Sequence, residues 1–223
     1  MSLPSRVDHL VVAAASLPEG IAWCRETFGF EPAAGGEHAL MGTHNRVFRI
    51  DSPAYPRAYF EIIAIDPAAP QPGRMRWYDL DDASLQARIA SGPRLVHFVT
   101  SASNALAAAD AMHEQGIDRG ALLAVERPTP SGVLRWRISV RDDGQRLFDG
   151  TLPTLIEWGD AHPCDSLPAS AVALRTFDVE HPQEQRLRRA FDAIGLQQVG
   201  LATGSPKLIA TFATQRGTVR LES

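Results

Sequence analysis

Arg6-Val7-Asp8-His9-Leu10-Val11-Val12 opens a β-like run that leads into a helical stretch, and Arg94-Leu95-Val96-His97-Phe98-Val99-Thr100 does the same 88 positions later. Each half then closes on a strand-like run with one carboxylate in an apolar stretch. The first is Tyr59-Phe60-Glu61-Ile62-Ile63 and the second is Leu155-Ile156-Glu157-Trp158. Self-similarity of this kind marks repeated structural units. One His and one Glu from each repeat, His9, Glu61, His97 and Glu157, form a set able to ligate a single divalent ion.

Working outward, the first repeat reads as strand, helix over about 17–28, Gly29 as helix stop, two short strands near 37–41 and 45–50, and the Glu61 strand. The second has the same order, with a helix over 103–115 stopped at Gly116 and strands near 121–126 and 133–142 before Glu157. Between them, 66–93 begins rich in proline and turns helix-like, an insertion packed over one end of the sheet. A third, shorter copy fits the remainder, with strands near 171–179, 197–202, 207–214 and 217–222 around a helix over 182–194. It carries Arg175 at the His position and Glu222 at the carboxylate position. Arginine offers no lone pair to a metal, so these two are expected to pair with each other or face solvent. The chain therefore reads as α+β: paired βαβββ modules at 1–65 and 94–163, the insertion at 66–93, and a partial third module at 164–223.

Composition excludes several classes. A net charge of −4 argues against a general nucleic-acid binder. No secretory leader or membrane span is legible, which makes a cytoplasmic address the expectation. Cys24 and Cys164, far apart, form neither a disulfide framework nor a zinc knuckle and have no partner spacing for nucleophilic catalysis. There is no phosphate loop, no nucleophile elbow and no His-Glu-x-x-His helix.

The chain resembles the vicinal-oxygen-chelate superfamily, and within it the glyoxalase-like domain group. Asp8-His9-Leu-Val-Val, Met41-Gly-Thr-His-Asn45, Glu61 and Leu155-Ile-Glu-Trp-Gly-Asp-Ala-His-Pro163 carry the resemblance. It implies paired modules whose eight strands curl into a cup, as in glyoxalase and bleomycin-resistance proteins, with a metal or ligand inside. In metal-dependent members the ligands come from the first and last strands of each module, where His9, Glu61, His97 and Glu157 fall. Related folds pair their modules within or across chains, so a homodimer is possible.

Alternation places His9 with Val7 and Val11, and Glu61 with Tyr59 and Ile63, on one concave face. Unpaired carboxylates in apolar strands are costly, and a shared Zn, Ni, Co, Mn or Fe(II) ion removes that cost for both glutamates. Glu61 or Glu157, displaced from the ion, is the candidate base. For lone strand residues the competing reading is a hydrogen-bonded core position or a solvent face. His44 and Asn45 read equally as substrate-binding groups and as turn chemistry after Gly42. Trp158 and His162 flank the Glu157 strand and are candidate ligand contacts, with Trp77 and Trp136 as core or pocket. His38, His113 and His181 read as surface. The leading function is a metal-dependent lyase, isomerase or dioxygenase acting on a small oxygenated molecule. The alternative is a metal-free protein that binds a small aromatic or antibiotic-like ligand in the same cup.

Overall fold

The computed structural model describes residues 4–129 and 132–223. Module one is β1 (Ser5–Ala13), α1 (Leu17–Phe28), β2 (Ala33–His38), β3 (Thr43–Arg49) and β4 (Tyr59–Ile65). Helix α1 starts where the Ser16 hydroxyl accepts from the Glu19 amide and ends at Gly29, whose φ of 87° is the left-handed cap. Module two, after the short helix α2 (Ala83–Ile89) of the insertion, is β5 (Arg94–Ala102), α3 (Ala105–Glu114), β6 (Ala121–Thr129), β7 (Gly132–Val140) and β8 (Thr154–Trp158).

These strands make one curled eight-stranded sheet in the order β2-β3-β4-β1-β5-β8-β7-β6. β1 and β5 lie antiparallel at its centre, and each pairs in parallel with the last strand of its own module. The two halves are thus related as the sequence repeat requires.

The remaining residues form β9 (Ala173–Glu180), α4 (Glu184–Ala193), β10 (Gly200–Ala202), β11 (Lys207–Thr214) and β12 (Gly217–Glu222). Their element order matches the other modules, but the wiring differs. The separate sheet runs β10-β9-β11-β12, with the first strand inside it, so this is not a truncated third copy. Its Phe177, Phe191 and Phe212 pack edge-to-face on Phe98, Phe60 and Phe28, covering the convex side of the large sheet. Tyr55 joins the two: its hydroxyl donates to the Gln198 carbonyl and accepts from the Phe177 amide, both at 2.9 Å. Arg175 and Glu222 are exposed, and Glu222 pairs with Lys207 and Arg220.

The insertion fills half of the cup. Trp77, Tyr78, Leu80, Leu85 and Ile89 join Val96, Val140 and Ile156 in the concave core. Tyr78, held at φ 60°, lies 5.0 Å from the His97 ring. His97 is fully buried, and both its ring nitrogens are occupied. Nε2 accepts from the Thr154 amide at 3.2 Å, which leaves Nδ1–H to donate to the Gly150 carbonyl at 3.1 Å. Burial, then the charges of Arg119 and Arg146, push this imidazole well below its usual range. The core fixes His97 as a neutral structural residue and withdraws it from the expected quartet.

Two outcomes follow from this packing. Tyr55→Phe orphans the buried Phe177 amide and frees the half-buried Gln198 carbonyl, and should cost about 1–3 kcal/mol in denaturant unfolding. His97 is protonated in the unfolded chain below about pH 6.5 but resists protonation when folded, so stability is full above that pH and falls as pH drops. The slope should reach about 1.4 kcal/mol per pH unit from this residue, while the folded-state His97 NMR resonances stay at neutral-ring positions. A His97 ring that titrates near 6.5 in the folded protein would contradict the assignment.

Candidate active site

The site is built around a β-bulge. Val7 pairs with Thr100 and His9 with Val99, leaving Asp8 as the extra residue. The alternation expected from sequence therefore breaks: Val7 joins the convex core with Leu10 and Val12, while His9 follows Val11 and Ala13 onto the concave face. Asp8 and His9 come to the same side, and the His9 Nδ1–H donates to Asp8 Oδ1 at 2.7 Å.

Asp8 is buried at the end of the cup. Its Oδ2 accepts from Trp158 Nε1–H at 2.9 Å and from His162 Nε2–H at 3.2 Å. The His162 tautomer is set from behind, because its Nδ1 accepts from the Cys164 amide at 3.1 Å. Burial alone would raise the Asp8 carboxyl; the hydrogen bonds from His162 and His9 outweigh it and hold the group far below the ordinary carboxylate range.

With Nδ1 committed, His9 presents Nε2 to Glu61 Oε2 at 3.7 Å. Glu61 is 5% exposed, and its other oxygen accepts from the Asn45 amide nitrogen at 2.5 Å. That amide is oriented by the Gly36 N–H, which donates to Asn45 Oδ1 at 2.7 Å. Asn45 Nδ2 also lies 3.4 Å from His38 Nε2. Burial and the Arg127 charge press the His38 imidazole down to about 3, so it is a neutral acceptor here and not the surface residue expected.

Tyr59 stacks on His9 at 4.4 Å. Burial first, then the carboxylates of Asp8 and Glu61, raise its phenol well above the usual value; burial and then Glu61 do the same to Tyr78, and both remain O–H donors. His9, Glu61, Asn45, Tyr59, Tyr78 and Trp158 line a floor cavity of about 50 Å³. His38, Trp77, Arg127, Trp136 and Ile138 line it too, and also wall a cleft of about 680 Å³ between β2 and β6. The cleft is of ligand size, and the floor holds one reacting group.

The structure brings together His9, Glu61 and Asn45 on the floor, with Trp158 and His162 behind them on Asp8. It separates the others. Glu157 lies on the opposite face of β8 from Ile156 and Trp158. There it accepts from the Ala105 amide at 2.7 Å at the start of α3 and pairs with Arg137, so it is neither ligand nor base. His44, paired with Ala64 next to Asn45, points to the convex side, 3.9 Å from Asp66, and takes no part in the cup. His181, expected at the surface, is buried and accepts from the Gln183 amide, whereas His113 is exposed. Burial pushes both cysteine thiols up to about 12, which leaves them inert.

The donor set does not fit the expected ion. His9 and Glu61 face each other, but His97 is used up in the core and Glu157 is on the wrong face. A catalytic ion draws on three protein ligands or more, and no cluster of three or more His, Cys, Asp or Glu side chains among the described residues is placed to hold one.

Sequence reasoning missed four contributors. Asp8 was visible beside His9, but only the bulge gives it a role. Tyr59 sits two positions from Glu61 on the same face of one strand, which was a usable signal. Arg127 continues the Leu123, Val125 alternation with a charge, also a usable signal. Tyr78 lies in the insertion, where no periodicity pointed to the cup.

No helix of the described residues is long and apolar enough to cross a membrane. No curated protein matches the chain. Among solved structures, a hypothetical protein from Staphylococcus aureus superposes with a TM-score of 0.59 at 11% identity, covering 98% of this chain and 84% of that one. A Streptomyces coelicolor methylmalonyl-CoA epimerase variant in complex with 2-nitronate-propionyl-CoA gives 0.42 at 18% identity, over 72% and 99% of the two chains. The Mycobacterium tuberculosis methylmalonyl-CoA epimerase gives 0.38 at 16%, over 72% and 91%. The first likeness is one of fold, and the other two carry no argument about chemistry. The profile of the glyoxalase-like domain matches residues 7–195, across both halves of the cup and into the third module, and the chain belongs to that family.

Proposed function

We propose that this protein is an isomerase of glyoxalase type that moves a proton on a small carbonyl compound, with Glu61 as the base and no metal in the step. The observation that carries this reading is the facing pair of Glu61 Oε2 and His9 Nε2, 3.7 Å apart, with Asp8 holding the imidazole by its other nitrogen. A carboxylate oxygen and a ring nitrogen turned toward one point leave a position that a substrate C–H or O–H can occupy.

The step balances with these groups alone. Glu61 takes the proton from the carbon next to the carbonyl, and the C–H electron pair moves to the carbonyl oxygen as an enolate. The protonated phenols of Tyr59 and Tyr78 are the O–H donors lining the same cavity for that oxygen. On an α-hydroxy carbonyl the hydroxyl proton passes by way of His9 Nε2 to the enolate oxygen; the freed oxygen becomes the new carbonyl as its electron pair closes the C=O bond, and the C=C pair takes the proton back from Glu61 at the former carbonyl carbon, which completes an isomerisation with every proton returned. Asn45 keeps the other Glu61 oxygen in place.

The Glu61–Asn45 bond also favours a second reading, a binding protein in which Glu61 is a satisfied wall residue. Deuterium exchange into a panel of small 2-oxo acids and α-hydroxy ketones, followed by NMR in D₂O, separates the two. Wild type should catalyse exchange on at least one compound, unaffected by chelator. Glu61→Gln should lower the rate by about 10²–10⁴-fold, while Glu157→Gln should leave it unchanged. Absence of catalysed exchange, equal rates in Glu61→Gln, or loss of activity on chelation would sink the proposal.

A further inference from the structure

Arg127 is a single charge on an apolar wall. It pairs with Leu134 across the β6–β7 hairpin, and Val125 and Leu123 on the same face pair with Trp136 and Ile138. These partners belong to the concave core, so Arg127 points into the cup. Its neighbour Glu126, on the other face, is matched with Arg135 outside.

A guanidinium set among Leu, Val and Trp side chains is costly to bury unless an anion meets it. Among the described residues no carboxylate does, and the buried Nε has no hydrogen-bond partner. Space has been cleared for the group. It crosses to the opposite edge of the sheet, where a methyl on Gly36 of β2 would land 1.2 Å from Arg127 Nη1. From there Arg127 borders both the large cleft and the floor cavity that holds Glu61 and His9.

We infer that Arg127 is the anion-binding residue of the cup, and that the ligand is a small monocarboxylate with an apolar body. This deepens the proton-transfer reading and rests on it for the position of the reacting carbon. A planar guanidinium suits a carboxylate, which it can grip with two N–H groups. A phosphate dianion fits less well: one cation faces it, Glu61 lines the same cavity, and the protein is acidic overall, with its single lysine at 207. Trp77, Trp136, Val125 and Met41 supply the apolar surface for the rest of the molecule.

The test is a binding measurement, independent of turnover. Phenylacetate and its neutral isostere phenylacetamide are titrated against intrinsic tryptophan fluorescence in wild type, Arg127→Gln, Arg127→Lys and Glu61→Gln. Wild type should prefer the acid by about tenfold or more, as expected for a charge-assisted pair. Arg127→Gln should bind both alike, Arg127→Lys should keep part of the preference, and Glu61→Gln, which removes a negative charge from the same cavity, should keep or raise it. Equal binding of acid and amide by wild type, a preference that survives Arg127→Gln, or no binding of either up to millimolar concentration would overturn the inference. If the preference is found and depends on Arg127 but no compound exchanges deuterium, the anion site stands and the isomerase reading falls.

Discussion

The site depends on the buried carboxylate of Asp8. An ion taken out of water costs several kcal/mol unless its lone pairs are met, and here three ring N–H groups meet them, from His9, Trp158 and His162. Hydrogen bonds to a charged group contribute about 1.5–3 kcal/mol each, enough together to offset that cost. Two of the three, from Trp158 and His162, tie the start of β1 to the end of β8 and to the loop after it, across the centre of the sheet. The third decides the proton inventory. Once Nδ1–H of His9 is given to Asp8, Nε2 is the ring atom left facing Glu61, 3.7 Å from its Oε2.

The two halves of the cup share a backbone plan and differ in chemistry because of the 66–93 insertion. In module one the concave face opens into a cavity. In module two Trp77, Tyr78 and Leu80 occupy the equivalent space. A histidine under that plug cannot reach a ligand, and His97 instead bonds to Gly150 and Thr154. Thr154 is in turn bonded by the buried Arg119, whose guanidinium burial lowers to about 10. Repetition of a residue type in sequence thus does not carry repetition of its role.

How much of this was legible follows the same division. The βαβββ order, the helix stops at Gly29 and Gly116, and the inward face of Glu61 came from period-2 and period-3.6 patterns with glycine punctuation, which are local properties. The match of Asp8-His9 and Glu61 to the family pattern pointed to two strands whose side chains the structure brings together. What failed was non-local. A one-residue bulge put Val7 on the convex side and Asp8 beside His9, and the register of β8 on β7 set Glu157 on the convex face at the start of α3. The third module's sheet order is set by which strands meet, and element order alone does not encode it. His38 looked like a turn residue until β3 brought Asn45 beside it.

The last constraint lies at the sheet's two edges. β2 and β6 are the outermost strands of one curled sheet, and open edges must be covered or kept apart. Gly36 leaves room for a side chain from β6, and Gly35 for one from the adjacent β3. A methyl at Gly35 would lie 1.9 Å from Asn45 Oδ1, and one at Gly36 would displace Arg127. The Gly36 amide holds Asn45, and Asn45 holds Glu61, through bonds of 2.7 and 2.5 Å. Arg127 rests on the same glycine from the other edge. Gly36 therefore serves both sides of the cup at once: its N–H orients the amide that bonds Glu61 on the floor, and its missing side chain leaves the space in which the Arg127 guanidinium sits at the mouth.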